Sequence, residues 1–146
     1  RKVQEVFTEF MNSSYLVQVA LSNANLASER RGTAQRSHLV QIAQAMGWLK
    51  QHFSESITIE SLADQAHMSQ SSFRQHFKTV AGISPLQYLK QLRLQEARQL
   101  MLNDGLDAGA SGLSVGYESV SQFSREYARL FGVPPSKDIK HIKIIS

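Results

Sequence analysis

The sequence predicts an all-α protein: two helix-turn-helix subdomains joined by a long linker helix and preceded by an N-terminal helical segment. Three observations predict it. Apolar residues recur at three- and four-residue spacing, the period of one helix face. Only three prolines occur, Pro85, Pro134 and Pro135, each where a helix would start or stop. The stretch from His67 to Pro85 also shares its punctuation with the stretch from Gly116 to Pro135: a turn, a serine, two aromatics four residues apart, a glycine and a proline.

The elements follow in order. Val3, Val6, Phe7 and Phe10 have helical spacing over a short first segment, and Tyr15 to Ala20 is an apolar run that periodicity leaves open between helix and strand. Ser28 to Thr33 reads as an exposed loop. Leu39, Ile42, Ala43, Met46, Leu49 and Phe53 form the apolar stripe of a long amphipathic helix. That stripe reads as intramolecular packing rather than a dimerisation seam, with Trp48 as a core or subdomain contact. Thr58 is placed to cap a helix holding Ile59, Leu62, Ala63 and Ala66. Ser69 caps the next helix, with Phe73, Phe77 and Val80 inside and Gly82 as its stop. Ser84, Pro85 and Gln87 make a capping box with proline at the first helical position. The helix they open runs to about Leu102, offers Leu86, Leu89, Leu92, Ala97, Leu100 and Met101 for burial, and closes at Asn103-Asp104-Gly105. A weaker helix spans roughly Asp107 to Leu113. Ser119 with Gln122 forms a second capping box before Phe123, Tyr127 and Leu130, and Pro134-Pro135 terminates that helix.

At 146 residues the chain suffices for one or two small domains with their own cores. Its 42% hydrophobic and 19% charged residues are ordinary globular composition, and with no cysteine there is no disulfide framework. No signal peptide is recognisable, and no apolar run approaches the ~20 residues of a membrane helix. A reducing, cytoplasmic setting fits best. The chain begins at Arg1 rather than Met, so a longer parent protein is expected. The net charge of +4 permits a polyanionic partner without demanding one. Residues 60–146 hold ten Lys/Arg against eight Asp/Glu, and residues 1–59 hold six against four. The position of charge, not its total, must carry a functional argument.

Each punctuated unit consists of two short helices around a turn, the geometry that places a second helix in the DNA major groove. Such a helix buries one face on its own domain and leaves a polar, cationic face free. The agreement extends to Phe77-Lys78, to Gly82-Ile83-Ser84-Pro85-Leu86-Gln87-Tyr88-Leu89, to Arg93-Leu94-Gln95-Glu96-Ala97-Arg98, and to Val115-Gly116-Tyr117-Glu118-Ser119 through Tyr127 and Phe131-Gly132. On these residues, the stretch from about Ile57 to Ile139 resembles the DNA-binding domain of the AraC/XylS family of bacterial transcription regulators.

The resemblance implies a sequence-specific DNA-binding regulator, activator or repressor, that reads two successive major grooves with two recognition helices. It implies residues 1–55 as a helical connector or the remnant of an N-terminal regulatory region, and residues 56–146 as the DNA-binding domain. Within that domain the first helix-turn-helix covers about 58–82, the linker helix about 85–102 and the second helix-turn-helix about 106–132. At ~1.5 Å per residue the linker spans roughly 27 Å, near the ~34 Å between successive major grooves. Carried over by position, Ser71, Arg74 and Gln75 face bases from the first recognition helix, and Val120, Ser121, Ser124 and Arg125 from the second. Arg74 and Arg125 suit bidentate reading of guanine. Lys78, Arg93 and Arg129 suit phosphates. The implied partner is a double-stranded DNA operator, with RNA polymerase as a second partner the family allows, and no membrane. An effector site is expected in an N-terminal domain outside the chain, and the setting is the cytoplasm, at the nucleoid. No catalytic residue, cofactor or metal is expected.

Family members often carry Arg where Gln75 stands, larger aliphatics at Ala108 and Ser111, and alanines at Gly109 and Gly112. Each interior helix glycine costs ~1 kcal/mol relative to Ala. The second unit is therefore expected to be the looser of the two.

Two rival readings compete. Gly112-Leu113-Ser114-Val115-Gly116 fits G-x-S-x-G, with Asp138 and His141 following in hydrolase order. That chemistry needs a strand entering the turn, and the preceding Ala/Gly/Ser stretch reads as helix. The other rival is a protein-interaction module that keeps the fold without binding DNA. A metal site is disfavoured because His38, His52, His67, His76 and His141 are scattered without ligand spacing.

Overall fold

The serine and threonine caps open helices where the sequence places them. The computed structural model describes residues 33–145, and side chains from His38 onward. Seven helices occupy these residues: α1 (Thr33–His52), α2 (Ile59–Gln65), α3 (Gln70–Ala81), α4 (Pro85–Asn103), α5 (Ala108–Ser114), α6 (Val120–Phe131) and α7 (Pro135–Ile145). No strand occurs among the described residues, and none of these helices is long and apolar enough to cross a membrane. The readings at Val3 to Phe10, Tyr15 to Ala20 and 28–32 lie outside the described residues, and Thr33 opens α1 rather than closing a loop.

Thr58, Ser69, Asp107 and Ser119 are extended N-cap residues, and each side chain accepts a backbone N–H three residues on. Such a cap contributes ~1 kcal/mol. Ser84 Oγ accepts from Gln87 N–H in the same way. Gly82 and Gly132 end α3 and α6 in the left-handed conformation. The helix expected over Asp107 to Leu113 is shifted by one residue, because Asp107 serves as its cap. The terminator reading of Pro134-Pro135 is incomplete. Pro135 is also the buried first residue of α7, a second use of the Ser84-Pro85 device.

The described residues form two units. One comprises residues 33–52 and Ile57–Tyr88; the other comprises Phe53–Ser56 and residues 89–145. The division groups α1 with α2 and α3, and it falls inside α4.

In the unit of α1 to α3, α1 and α2 both pack against α3. Ile42, Ala43, Met46 and Leu49 are buried, so the α1 stripe serves packing within the unit. Phe77 lies 5.6 Å from Phe73 and 5.5 Å from Tyr88, ring centre to ring centre. Full burial of each such ring is worth roughly 1.5–3 kcal/mol. Gln41 Nε2 donates to the carbonyl of Ala66 at 2.6 Å, satisfying the end of α2. Trp48 is half-buried and stacks on His52 at 4.4 Å. On α4, Leu89, Leu92, Ala97 and Met101 are buried as the spacing predicts, but Leu86 is 52% exposed and Tyr88 is buried instead.

In the other unit, Leu94, Ala97, Met101, Val115, Tyr117, Phe123, Tyr127 and Phe131 form one core. Its aromatics run as a ladder, Tyr117 to Phe123 to Tyr127 to Phe131, at 5.4, 5.7 and 4.5 Å. Asp138 of α7 is buried against it. Its Oδ2 accepts from Tyr127 Oη at 2.5 Å and from Arg98 Nε at 3.1 Å.

The expectation that Gly112 loosens this unit is overturned. A Cβ on Gly112 would come within 2.7 Å of the Phe123 ring, which is fully buried and has nowhere to move. The missing side chain is what lets α5 seat on α6. Gly109 is different, since a Cβ there would meet only ordinary contacts at 3.6 and 4.0 Å.

Candidate nucleic-acid interface

α3 and α6 are the same device built twice. Each has twelve residues, a serine N-cap and a left-handed glycine C-cap. Each buries residues four and eight positions apart: Phe73, Phe77 and Ala81 in α3, and Phe123, Tyr127 and Phe131 in α6. A stripe at that spacing turns the opposite face outward.

The outward faces hold the residues selected from the sequence. On α3, Ser71, Arg74, Gln75 and Lys78 are exposed; on α6, Val120, Ser121, Arg125 and Arg129 are exposed and Ser124 is half-buried. Among the described residues, Arg74, Lys78, Arg125 and Arg129 make no ion pair and no side-chain hydrogen bond. Cations held this way lose no internal partner on meeting an anion. α3 contains no acidic residue, and the single acid of α6, Glu126, is paired with Lys90 at 3.5 Å.

The two arginines singled out for guanine do not occupy equivalent positions. Counting from the serine caps, Arg125 corresponds to Gln75 and Arg74 to Ser124. One residue is a rotation of about 100° around a helix. The two faces therefore present their arginines in different registers.

Arg93 stands apart from the set it was placed in. Its Nε donates to the Phe53 carbonyl at 2.6 Å and its Nη2 to the Glu55 carbonyl at 2.8 Å. The guanidinium lies 5.9 Å from the centre of the Tyr117 ring. Burial lowers its pKa from the ordinary arginine value, against the opposing charges of Tyr117 and Glu126. Its Nε and Nη2 hold residues 53–55 in place, a structural task that Lys78 and Arg129 do not share. Gly116 completes this attachment. It has φ +107°, and a Cβ there would meet the Ser54 carbonyl oxygen at 2.8 Å. His67, a non-glycine residue with positive φ (58°), sits in the turn between α2 and α3 as Gly116 sits in the turn between α5 and α6. His67 stays within the left-handed well that an L residue can visit, whereas +107° lies beyond it, so at Gly116 both the backbone shape and the approach of Ser54 demand glycine.

A second polar cluster steadies α6. Glu126 accepts from Tyr117 Oη at 2.8 Å and from Gln122 Nε2 at 3.0 Å. Partial burial alone would push its carboxyl up, but the hydrogen bonds from Gln122 and Tyr117, with Lys90 nearby, outweigh it and hold the pKa below the ordinary glutamate value. Burial and then the bond to Glu126 push the Tyr117 phenol up, so it stays a donor. This cluster corrects the second capping box. Ser119 Oγ accepts from Gln122 N–H as expected, but the Gln122 amide goes to Glu126 instead of back to the cap. The Gln122–Glu126 spacing of four could have flagged that pair. Nothing local signals Asp138, whose partners lie 11 and 40 residues away.

The G-x-S-x-G reading lacks its structural setting. Ser114 is the exposed last residue of helix α5, and Asp138 is committed to Tyr127 and Arg98. Among the described residues no three His, Asp or Glu side chains are grouped as metal ligands.

Residues 62–141, more than half of the chain, match the family model of a helix-turn-helix domain. The chain belongs to the AraC/XylS family. It is 45% identical over 80 residues to the RCS-specific HTH-type transcriptional activator RclR of Escherichia coli K12, covering 55% of this chain and 28% of that protein. It is 32% identical over 129 residues to the HTH-type transcriptional activator RhaR of Pectobacterium carotovorum, covering 86% of this chain and 44% of that one. The chain thus spans under half the length of these curated AraC/XylS relatives. Among solved structures, the C-terminal domain of the response regulator AraT from Geobacillus stearothermophilus aligns with a TM-score of 0.66 at 26% identity, over 69% of this chain and 84% of that one. The DNA-binding domain of the global transcriptional factor AdpA, solved in complex with a target DNA, aligns with a TM-score of 0.68 at 24% identity, over 70% and 93%. That likeness concerns the fold alone.

Proposed function

We propose that this chain is the sequence-specific DNA-binding part of a bacterial transcription regulator, with α3 and α6 as recognition helices entering successive major grooves. The observation that supports it best is the repeated device: two helices with matched caps, one buried aromatic face each, and outward faces whose cations have no internal partner among the described residues. In this reading Ser71, Arg74 and Gln75 on α3, and Val120, Ser121, Ser124 and Arg125 on α6, face bases, and Lys78 and Arg129 meet phosphates. The polar clusters around Glu126 and Asp138 hold α6 in one orientation, which base reading requires.

Such a regulator acts at the nucleoid in the cytoplasm, with RNA polymerase as a second partner and any effector bound by a domain outside this chain. DNA binding, not hydrolysis or metal chemistry, uses every outward residue above. The test is a titration of a labelled duplex, enriched from a random pool, at two salt concentrations. Affinity should fall about 10-fold or more between 50 and 200 mM salt, as release of counterions from several phosphates requires. A fold that serves only as a protein-interaction module would enrich no sequence and show no such slope.

A further inference from the structure

Resting on that DNA-reading role, we propose that Gln122, absent from the reading set above, is a specificity-determining residue of α6 and selects adenine at one base pair. The argument begins at Glu126. This carboxylate stays ionised, and it can only accept hydrogen bonds. It sits one helical turn beyond Gln122 and takes Gln122 Nε2 at 3.0 Å. A carboxylate therefore fixes which way the amide faces: nitrogen toward Glu126, oxygen away from it. A flipped amide would set two acceptors against each other and forfeit a charge-assisted hydrogen bond.

Glu126 is itself held on its other side. Tyr117 Oη donates to Oε1 and Lys90 Nζ lies 3.5 Å from Oε2, so the carboxylate is not free to rotate away. Only one of the two Nε2 hydrogens is used. The carbonyl Oε1 and the second N–H have no partner among the described residues, and the side chain is exposed. An acceptor beside a donor complements the N6–H donor and N7 acceptor of adenine in the major groove.

Gln122 lies in the first turn of α6, the part of a recognition helix that reaches base edges, and it precedes Arg125 by three residues on the same outward face. The device belongs to α6 alone. At the matching positions α3 has Ser72 and His76, which cannot make this pair.

The experiment uses a duplex enriched by the wild-type chain. Enrichment by wild type should fix adenine at one base pair that Gln122→Ala no longer selects, while preferences elsewhere persist. Replacing that adenine with 7-deazaadenine, which lacks the N7 acceptor, should weaken wild-type binding roughly 5- to 100-fold and leave Gln122→Ala unchanged. Glu126→Ala should still bind the site but lose most of the adenine preference, because its amide can flip. Gln122 is exposed, so its variant keeps the fold, which a thermal melt verifies. Unchanged adenine preference in Gln122→Ala overturns this inference and leaves the DNA-reading role intact. Unchanged preference in Glu126→Ala overturns the fixed amide. A wild-type chain that enriches no sequence overturns the role and the inference together.

Discussion

Gly112 approaches the ring of Phe123 so closely that a methyl group on it would lie 2.7 Å from the ring carbons. Phe123 is fully buried at the centre of its core, so the ring cannot yield. Gly112→Ala should therefore lower stability by about 1–3 kcal/mol, the cost of an overpacked core. Gly109→Ala, one turn earlier, meets only ordinary contacts and should raise stability by up to ~1 kcal/mol through helix propensity. Thermal melts of the two variants should shift in opposite directions.

The buried Asp138 joins α7 to α4 and α6 through Arg98 and Tyr127. Asp138→Ala leaves the guanidinium of Arg98, itself mostly buried, without its partner, and should cost about 3 kcal/mol. Tyr127→Phe removes one hydrogen bond and should cost less, about 1–2 kcal/mol. Denaturant unfolding followed by circular dichroism measures both; equal effects would mean that the phenol, not the ion pair, anchors α7.

Glu126 gives the second unit a defined acid sensitivity. Its pKa is lower in the folded chain than in the unfolded one, so its contribution is present above the ordinary glutamate pKa, about 4.3. It is lost as pH falls through the folded value. Wild type should be more stable than Glu126→Gln at pH 7, and the gap between their melting temperatures should close as pH falls below the ordinary glutamate pKa. A gap that widens on acidification would contradict the assignment.

Arg93 and Lys78 carry the same charge and should behave oppositely. Arg93→Lys cannot span the two carbonyls of residues 53 and 55, so it should lower the melting temperature while leaving the salt slope of DNA binding unchanged. Lys78→Ala should leave the melting temperature alone, weaken all sequences alike and reduce the salt slope by about 1. Melts combined with binding at several salt concentrations separate the two roles.

Most helix boundaries were legible because their signals are local. Thr58, Ser69, Ser84 and Ser119 cap the helices that follow them, and Gly82 and Gly132 close α3 and α6, each within a turn of the residues it serves. The outward faces of α3 and α6 were legible for the same reason, since an aromatic stripe at fixed spacing determines what lies opposite. What the sequence hid depends on distant partners. Arg93 reads as a surface cation until residues 53–55 fold onto it from 38 to 40 positions away. Gly112 reads as a weak point until Phe123 arrives beside it. Asp138 enters the sequence reading only as an acid in hydrolase order, and only α4 and α6 together make it a buried anchor. α7 was missed because Pro134-Pro135 signals an end more loudly than the beginning it also provides.

The central claim is that α3 and α6 each read bases. The most direct test is sequence enrichment from a random duplex pool by wild type, Arg74→Ala and Arg125→Ala. The account predicts a bipartite site for wild type, with Arg74→Ala erasing preference in one half and Arg125→Ala in the other, each at ~1–3 kcal/mol. Enrichment of a single half-site, or identical sites for all three proteins, would contradict it.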